Sequence, residues 1–238
     1  MWRVTVAGRV GVILVGAGTS RRMEGIDKVF APLRGRPLLD CTLGVLASVP
    51  EVAAGVIVIS EQGFAQGQEV LTRRGWTVGW NLCIGGARRQ DSVRLGLEKL
   101  SNVEWVIIHD VARPCIDQDT IYRGLEAAKE TGAAVAAVPV TDTIKSVDEE
   151  HRVVDTLDRS TLWAVQTPQV FRRDLLEAAF ADSNDDATDE ATLLERMGHT
   201  IKVFQGDYGN IKVTTPQDLA MAEAILASRV TPEVLPSA

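Results

Sequence analysis

The chain has 238 residues and a formal net charge of −7, with 45% hydrophobic and 24% charged residues, a balance typical of globular domains and unlike disordered or fibrous chains. Its acidity argues against general binding to nucleic acid or to an anionic membrane, which calls for a basic face, so any anion site must be local. Three cysteines, Cys41, Cys83 and Cys115, form no CxxC pair, which disfavours a disulfide framework or zinc knuckle and fits a reducing cytoplasm.

At the N-terminus Arg9 interrupts the apolar stretch that follows Arg3, against a secretion signal, and no apolar run reaches the roughly eighteen residues of a membrane span. Short apolar runs then alternate with longer amphipathic segments. The periodicity predicts strands at Val10–Val15, Val56–Ser60, Thr77–Trp80, Trp105–His109, Ala134–Pro139 and Ile201–Phe204. Helical spacing marks Leu38–Ser48, Asp91–Leu100, Asp117–Thr131, Arg173–Ala181, Asp189–Met197 and Pro216–Ser228. Asp117 and Thr215, the latter followed by Pro216 at the first helical position, are the clearest helix starts.

The β-branched runs "GVILV" and "WVII" imply strands covered on both faces, as in a parallel sheet. The alternation as a whole predicts an α/β, doubly wound, mostly parallel sheet, with ligands beyond the carboxyl ends of its strands. Residues 141–171 break the rhythm. There "TIKSV" and "RVVDTL" flank a polar turn at Asp148-Glu149-Glu150, predicting a projecting β-hairpin arm at about 141–166. Such a hairpin is marginal alone and needs something to pack on, for instance a second copy of the chain. Residues 1–232 read as one domain, with a frayed tail after Arg229 and a flexible end at 233–238.

The loops carry the chemistry. "GAGTSRRMEGIDK" follows the first strand. It is neither a Walker loop nor a dinucleotide fingerprint, because GxxxxGK[ST] and the third glycine of GxGxxG are both missing. What remains is a flexible backbone at Gly16, Ala17 and Gly18, together with Arg21, Arg22 and Lys28, groups suited to a phosphate chain; a tight turn with a solvated basic loop is the competing reading. "GGARRQDSV" repeats the pattern, with Gly86 exposing backbone amides and Ser92 able to hydrogen-bond a base or sugar. In "HDVARP", Asp110 stands at a strand end, where a carboxylate can hold Mg²⁺, and Arg113 can neutralise an anion or pair with Asp110. Lys212 lies between a glycine-containing loop and a capped helix, either aimed at the cleft or a plain surface cation. His109, His151 and His199 have no spacing that suggests a metal site or a triad.

In this order, "GAGTSRRM…K", "GGARRQDSV", "HDVARP", "DTIK", "DRSTLWAVQTPQVF", "TDEATLLERMG" and "GNIKVTTPQDLAMAE" resemble the 2-C-methyl-D-erythritol 4-phosphate cytidylyltransferases from about residue 10 to 228. The resemblance implies a Rossmann-like nucleotidyltransferase that moves a cytidylyl group from CTP to the polyol phosphate in non-mevalonate isoprenoid synthesis, with Mg²⁺ or another divalent cation. It implies that Arg22 and Lys28 stabilise the transition state, that Gly16, Ala17, Gly18, Gly86, Ser92 and Asp110 form the CTP site, and that Asp110 faces the metal. Arg113, Thr143, Arg159, Thr167, Thr188 and Lys212 are then expected at the polyol phosphate. It further implies a cytoplasmic homodimer gripped through the arm, so that Thr143 and Arg159 serve the partner's site. Asp27 departs from the family's common proline, and Ala87 from its common acidic residue. A pentitol-phosphate (ribitol 5-phosphate type) cytidylyltransferase is the alternative, a catalytically silent nucleotide-binding module a more distant one, and an oxidoreductase a weak third.

Overall fold

The computed structural model describes residues 8–18, 27–76, 79–182 and 186–229. In chain order these form β1 (Val10–Val15), β2 (Pro32–Leu33), β3 (Arg36–Pro37), α1 (Leu38–Ala47), β4 (Val52–Ile59), α2 (Phe64–Arg74) and β5 (Trp80–Ile84). There follow α3 (Arg89–Lys99), β6 (Trp105–Asp110), α4 (Gln118–Thr131), β7 (Ala133–Pro139), β8 (Lys145–Val147) and β9 (Val153–Thr156). The chain closes with β10 (Trp163–Arg172), α5 (Arg173–Asp182), α6 (Glu190–Arg196), β11 (Lys202–Gln205) and α7 (Pro216–Ser228).

The central sheet has seven strands in the order β11-β7-β10-β6-β1-β4-β5. β10 runs antiparallel to both β6 and β7, and the other pairings are parallel. Alternate residues of each inner strand feed two separate cores. Val12, Leu14, Ile57, Ile107 and Val170 pack with side chains of α1, α2, α4 and α7. Ile13, Val56, Val58, Ile108 and Phe171 pack on the other face with α3, α5 and α6. Double coverage is why these strands read as continuous apolar runs, and the expected doubly wound architecture is the one found.

The predicted helix starts at Asp117 and Thr215 form as expected. Asp117 Oδ1 accepts the Thr120 N–H at 2.7 Å, and Thr215 and Asp218 make a reciprocal capping box before Pro216. The arm also forms, β8 pairing antiparallel with β9 from Lys145–Thr156 to Val147–Val153. Asp148 Oδ1 closes the turn by accepting the Glu150 and Arg152 N–H groups.

Other expectations are corrected. The strand placed at Thr77–Trp80 runs over Trp80–Ile84 instead, and Thr77 lies outside the described residues. Helix α2 was not anticipated: only Gly67, Val70 and Leu71 are buried on it, too few for a clear apolar stripe. Strand β10 was not anticipated either, because its buried centre is polar, with Gln166, Thr167 and Gln169 all inside and Pro168 among them. Arg21, Arg22 and the tail from 230 onward fall outside the described residues.

Candidate active site

β1 pairs with β4 on one side and with β6 on the other, so the strand order reverses at β1 and a crevice opens beyond the carboxyl ends of β1 and β6. Register places Val15 directly opposite Asp110. Gly16 N–H donates to Val58 O at 2.7 Å and Val111 N–H to Val15 O at 3.0 Å, which pins both loop origins to the sheet. The loop after β5 approaches so closely that a Cβ on Gly85 would lie 2.3 Å from Ala17 Cβ and 2.7 Å from Ser92 Oγ, so only glycine fits there.

Between these loops lies a cleft of about 480 Å³, within the size range of small-molecule sites. Its lining includes Gly16, Ala17, Gly18, Lys28, Gly86, Ser92, Asp110 and Lys212, so the residues singled out from separate loops do converge. Asp27 Oδ1 accepts the Val29 N–H at 3.1 Å, shaping the turn that carries Lys28. Ser92 Oγ accepts the Gly86 N–H at 3.1 Å and donates to Arg88 O at 3.2 Å, which holds the second glycine loop in shape.

Asp110 is the electrostatic centre. Its Oδ2 meets Lys212 Nζ at 2.6 Å, its Oδ1 lies 3.5 Å from Arg89 Nη2, and Arg113 Nε is 4.0 Å from Oδ2. Burial opposes ionisation of this carboxyl, but Lys212, Arg89 and Arg113 together hold it well below the usual carboxylate range. Lys212 is placed by its own loop, since Val213 N–H donates to Ala112 O at 2.7 Å and Arg113 Nη1 donates to Asn210 O at 2.7 Å.

His109 is fully buried. Its Nε2 lies 3.1 Å from Arg113 O, an acceptor only, so Nε2 carries the proton and Nδ1 accepts from Thr167 Oγ1 at 3.1 Å. Thr167 Oγ1 in turn accepts the Asp110 N–H. Thr167 therefore has its hydrogen committed to His109 and steadies the Asp110 backbone. Burial is the main reason that the His109 imidazole is pushed down to about 4.

Of the six polyol-phosphate expectations only Lys212 lines this cleft; Arg113 and Thr167 lie beside Asp110 without lining it, and Thr143, Arg159 and Thr188 are not among its walls. Thr143 and Arg159 are exposed on the arm and at its base, Arg159 donating to Thr141 O at 2.6 Å. Thr188 is exposed beside Thr192, 3.4 Å between hydroxyl oxygens. Sequence reasoning missed Arg89, whose half-buried guanidinium lines the cleft, and Glu190, which is completely buried and receives Arg89 Nη1 on both carboxylate oxygens. Burial raises the Glu190 carboxyl, against the pull of Arg89. No helix is long and apolar enough to cross a membrane among the described residues.

A doubly wound sheet with a switch-point cleft, two glycine loops, and cations ranged about one carboxylate defines a nucleotide-binding α/β protein built for phosphate groups. Comparison with known proteins sharpens this. Residues 10–228 match the family model described as IspD, 2-C-methyl-D-erythritol 4-phosphate cytidylyltransferase. The enzyme of that name from Dehalococcoides mccartyi strain 195 is 47% identical over 218 residues, 92% of this chain and 96% of the relative. That from Alkaliphilus metalliredigens is 42% identical, covering 95% and 96%. The crystal structure of 4-diphosphocytidyl-2C-methyl-D-erythritol synthase from Anaerococcus prevotii superposes with a TM-score of 0.81 at 27% identity, covering 92% of this chain and 98% of that one. The chain belongs to the 2-C-methyl-D-erythritol 4-phosphate cytidylyltransferase family.

Proposed function

We infer that this protein transfers a cytidylyl group from CTP to 2-C-methyl-D-erythritol 4-phosphate, giving 4-diphosphocytidyl-2-C-methyl-D-erythritol and pyrophosphate on the non-mevalonate route to isoprenoids. The observation that carries this reading is the convergence of Gly16–Gly18, Lys28, Asp110 and Lys212 on one cleft in a chain of this family. The names of the relatives favour methylerythritol phosphate over ribitol 5-phosphate as acceptor.

The acceptor is a phosphate monoester, whose second pKa near 6 leaves it largely dianionic at neutral pH. One of its oxygens attacks the α-phosphorus of CTP, the bond from that phosphorus to the bridging oxygen breaks, and pyrophosphate departs with the electron pair. No general base is required, and His109, bonded at both ring nitrogens and buried, is not placed as one. The task is to hold two repelling anions in line and stabilise charge as it shifts, which falls to positioned cations. Lys28, with Arg22, serves the α-phosphate. Lys212, braced by Asp110, and Arg113 serve the acceptor's phosphate, with Thr188 at the rim and Thr167 supporting from below. Gly86 and Ser92 border the cytosine.

Among the described residues no group of three His, Cys, Asp or Glu side chains could hold a metal. A single carboxylate nevertheless fits Mg²⁺, which takes one or two carboxylates and fills its shell with water and substrate phosphates. Asp110 would hold it, and the ion would supply charge neutralisation on the triphosphate. The exposed Val147, Val153, Val154, Leu157, Trp163 and Val165 support a homodimer through the arm, with Thr143 and Arg159 serving the partner's cleft. A cytoplasmic location fits three free cysteines.

The test is pyrophosphate release by the purified chain with CTP, Mg²⁺ and each polyol phosphate in turn. Turnover with methylerythritol phosphate is expected, and turnover with ribitol 5-phosphate alone would overturn the assignment. Lys28→Ala should cut turnover about a hundredfold or more while weakening CTP binding modestly; unchanged turnover would remove Lys28 from the scheme.

A further inference from the structure

Arg89 and Glu190 lie 101 positions apart in the chain, one at the first turn of α3 and the other at the first turn of α6. Glu190 is 0% exposed. Burying a carboxylate against a guanidinium costs desolvation that an apolar pair of similar volume avoids, so the pair calls for an explanation beyond stability. Helix capping does not provide one. Asp189 caps α6, its Oδ1 accepting from both Thr192 N–H and Thr192 Oγ1. Nor does docking of the preceding loop, which is held separately by Ala187 N–H on Gln90 Oε1 and by Arg88 on Asp186.

What the pair does is divide the Arg89 guanidinium. Nη1 is taken up by both Glu190 oxygens, which leaves Nη2 facing Asp110 Oδ1 at 3.5 Å. The other Asp110 oxygen stays with Lys212 at 2.6 Å. We propose that Glu190 is a positioning residue: it holds Arg89 at the wall of the cleft, so that Arg89 supports one Asp110 oxygen while Lys212 keeps the other. Without the Glu190 charge, Arg89 leaves that place and Asp110 Oδ1 loses its support, so the carboxylate, and with it the Lys212 held on its other oxygen, loses its set position. Glu190 also ties α6 to α3, whose preceding glycine loop lines the cleft, two elements that share no segment of chain. This rests on the cytidylyl-transfer reading above.

The test uses the full chain with Glu190→Gln, near-isosteric but uncharged, and the double variant Arg89→Met/Glu190→Leu. Glu190→Gln should lower kcat between about tenfold and a hundredfold while KM for CTP moves by less than about threefold. The double variant should unfold near the wild-type urea midpoint, because an apolar pair is tolerated there, yet keep the low kcat. Wild-type kcat in either variant, or a change confined to KM, overturns the proposal, since a merely structural pair would be fully replaced by the apolar one. Side-chain NMR supplies a reading free of turnover. A slowly exchanging Arg89 guanidinium N–H signal should be present in the wild type and lost in Glu190→Gln, and equal signals in both would also overturn it. Absence of turnover in the wild type itself would sink the assigned reaction, leaving this signal to decide on Glu190.

Discussion

Acidification offers a quantitative check on the hydrogen-bond chain beneath the cleft. His109 is held neutral in the folded protein, its value pushed from 6.5 to about 4, chiefly by burial. Arg113 and Lys212 lower it further, while the Arg113 carbonyl and the Asp110 charge pull it back up. The unfolded chain takes up a proton near pH 6.5 that the folded chain refuses until about pH 4, so stability falls as pH drops through that window. At about 1.4 kcal/mol per unit the full loss is about 3 kcal/mol, and between pH 7 and pH 5 it is about 2 kcal/mol. Asp110 does not blur this window, because its depressed value contributes stability that is lost only in much stronger acid. Glu190, raised by burial, acts in the opposite direction and is common to both proteins compared. The assay is urea unfolding of the wild type and His109→Gln at pH 7 and pH 5. The wild type should lose about 2 kcal/mol more than the variant over this interval. A difference below about 0.5 kcal/mol would refute the reasoning from burial.

Two further outcomes follow from the sheet and the arm. Phe171 is fully buried in the core beneath α5, so Phe171→Ala should cost about 3–5 kcal/mol in urea unfolding with an unchanged m-value, and a loss under about 1 kcal/mol would mean the site collapses freely. Val140 N–H already donates to Leu162 O at 3.0 Å, so residues 141–161 can be replaced by a tight glycine turn without opening the sheet. That variant should keep its far-ultraviolet circular dichroism but sediment as a monomer without transferase activity, whereas a persistent dimer would place the contact elsewhere.

Legibility in the sequence followed the range of the interactions. The strands β1, β6 and β7 were readable because both faces are covered, which writes burial into consecutive residues. Helices α4 and α7 were readable because their caps are local, three residues from cap to partner. Lys28, Asp110 and Lys212 could be placed near phosphate by residue type and loop position, but not relative to one another, since long-range contacts such as the β1–β6 register and the Val213–Ala112 bond bring the loops together. Strand β10 concealed itself by burying Gln166, Thr167 and Gln169, whose amides and hydroxyl serve neighbouring loops instead of an apolar face. Arg89 and Glu190 each stood inside a motif, but their pairing was illegible, because nothing local to either segment requires it.

The reversed direction of β10 has a consequence for how the arm reaches the cleft. β7 ends at Pro139 and β10 begins at Trp163, and these two residues are register partners, so the excursion from 140 to 162 departs from and returns to the same end of the sheet as Asp110. Had that strand run with its neighbours, the chain would have had to travel back to the opposite end before re-entering. The reversal thus roots the excursion beside the reacting groups, so whatever grips the arm pulls on the sheet at the edge of the cleft and not at its far end.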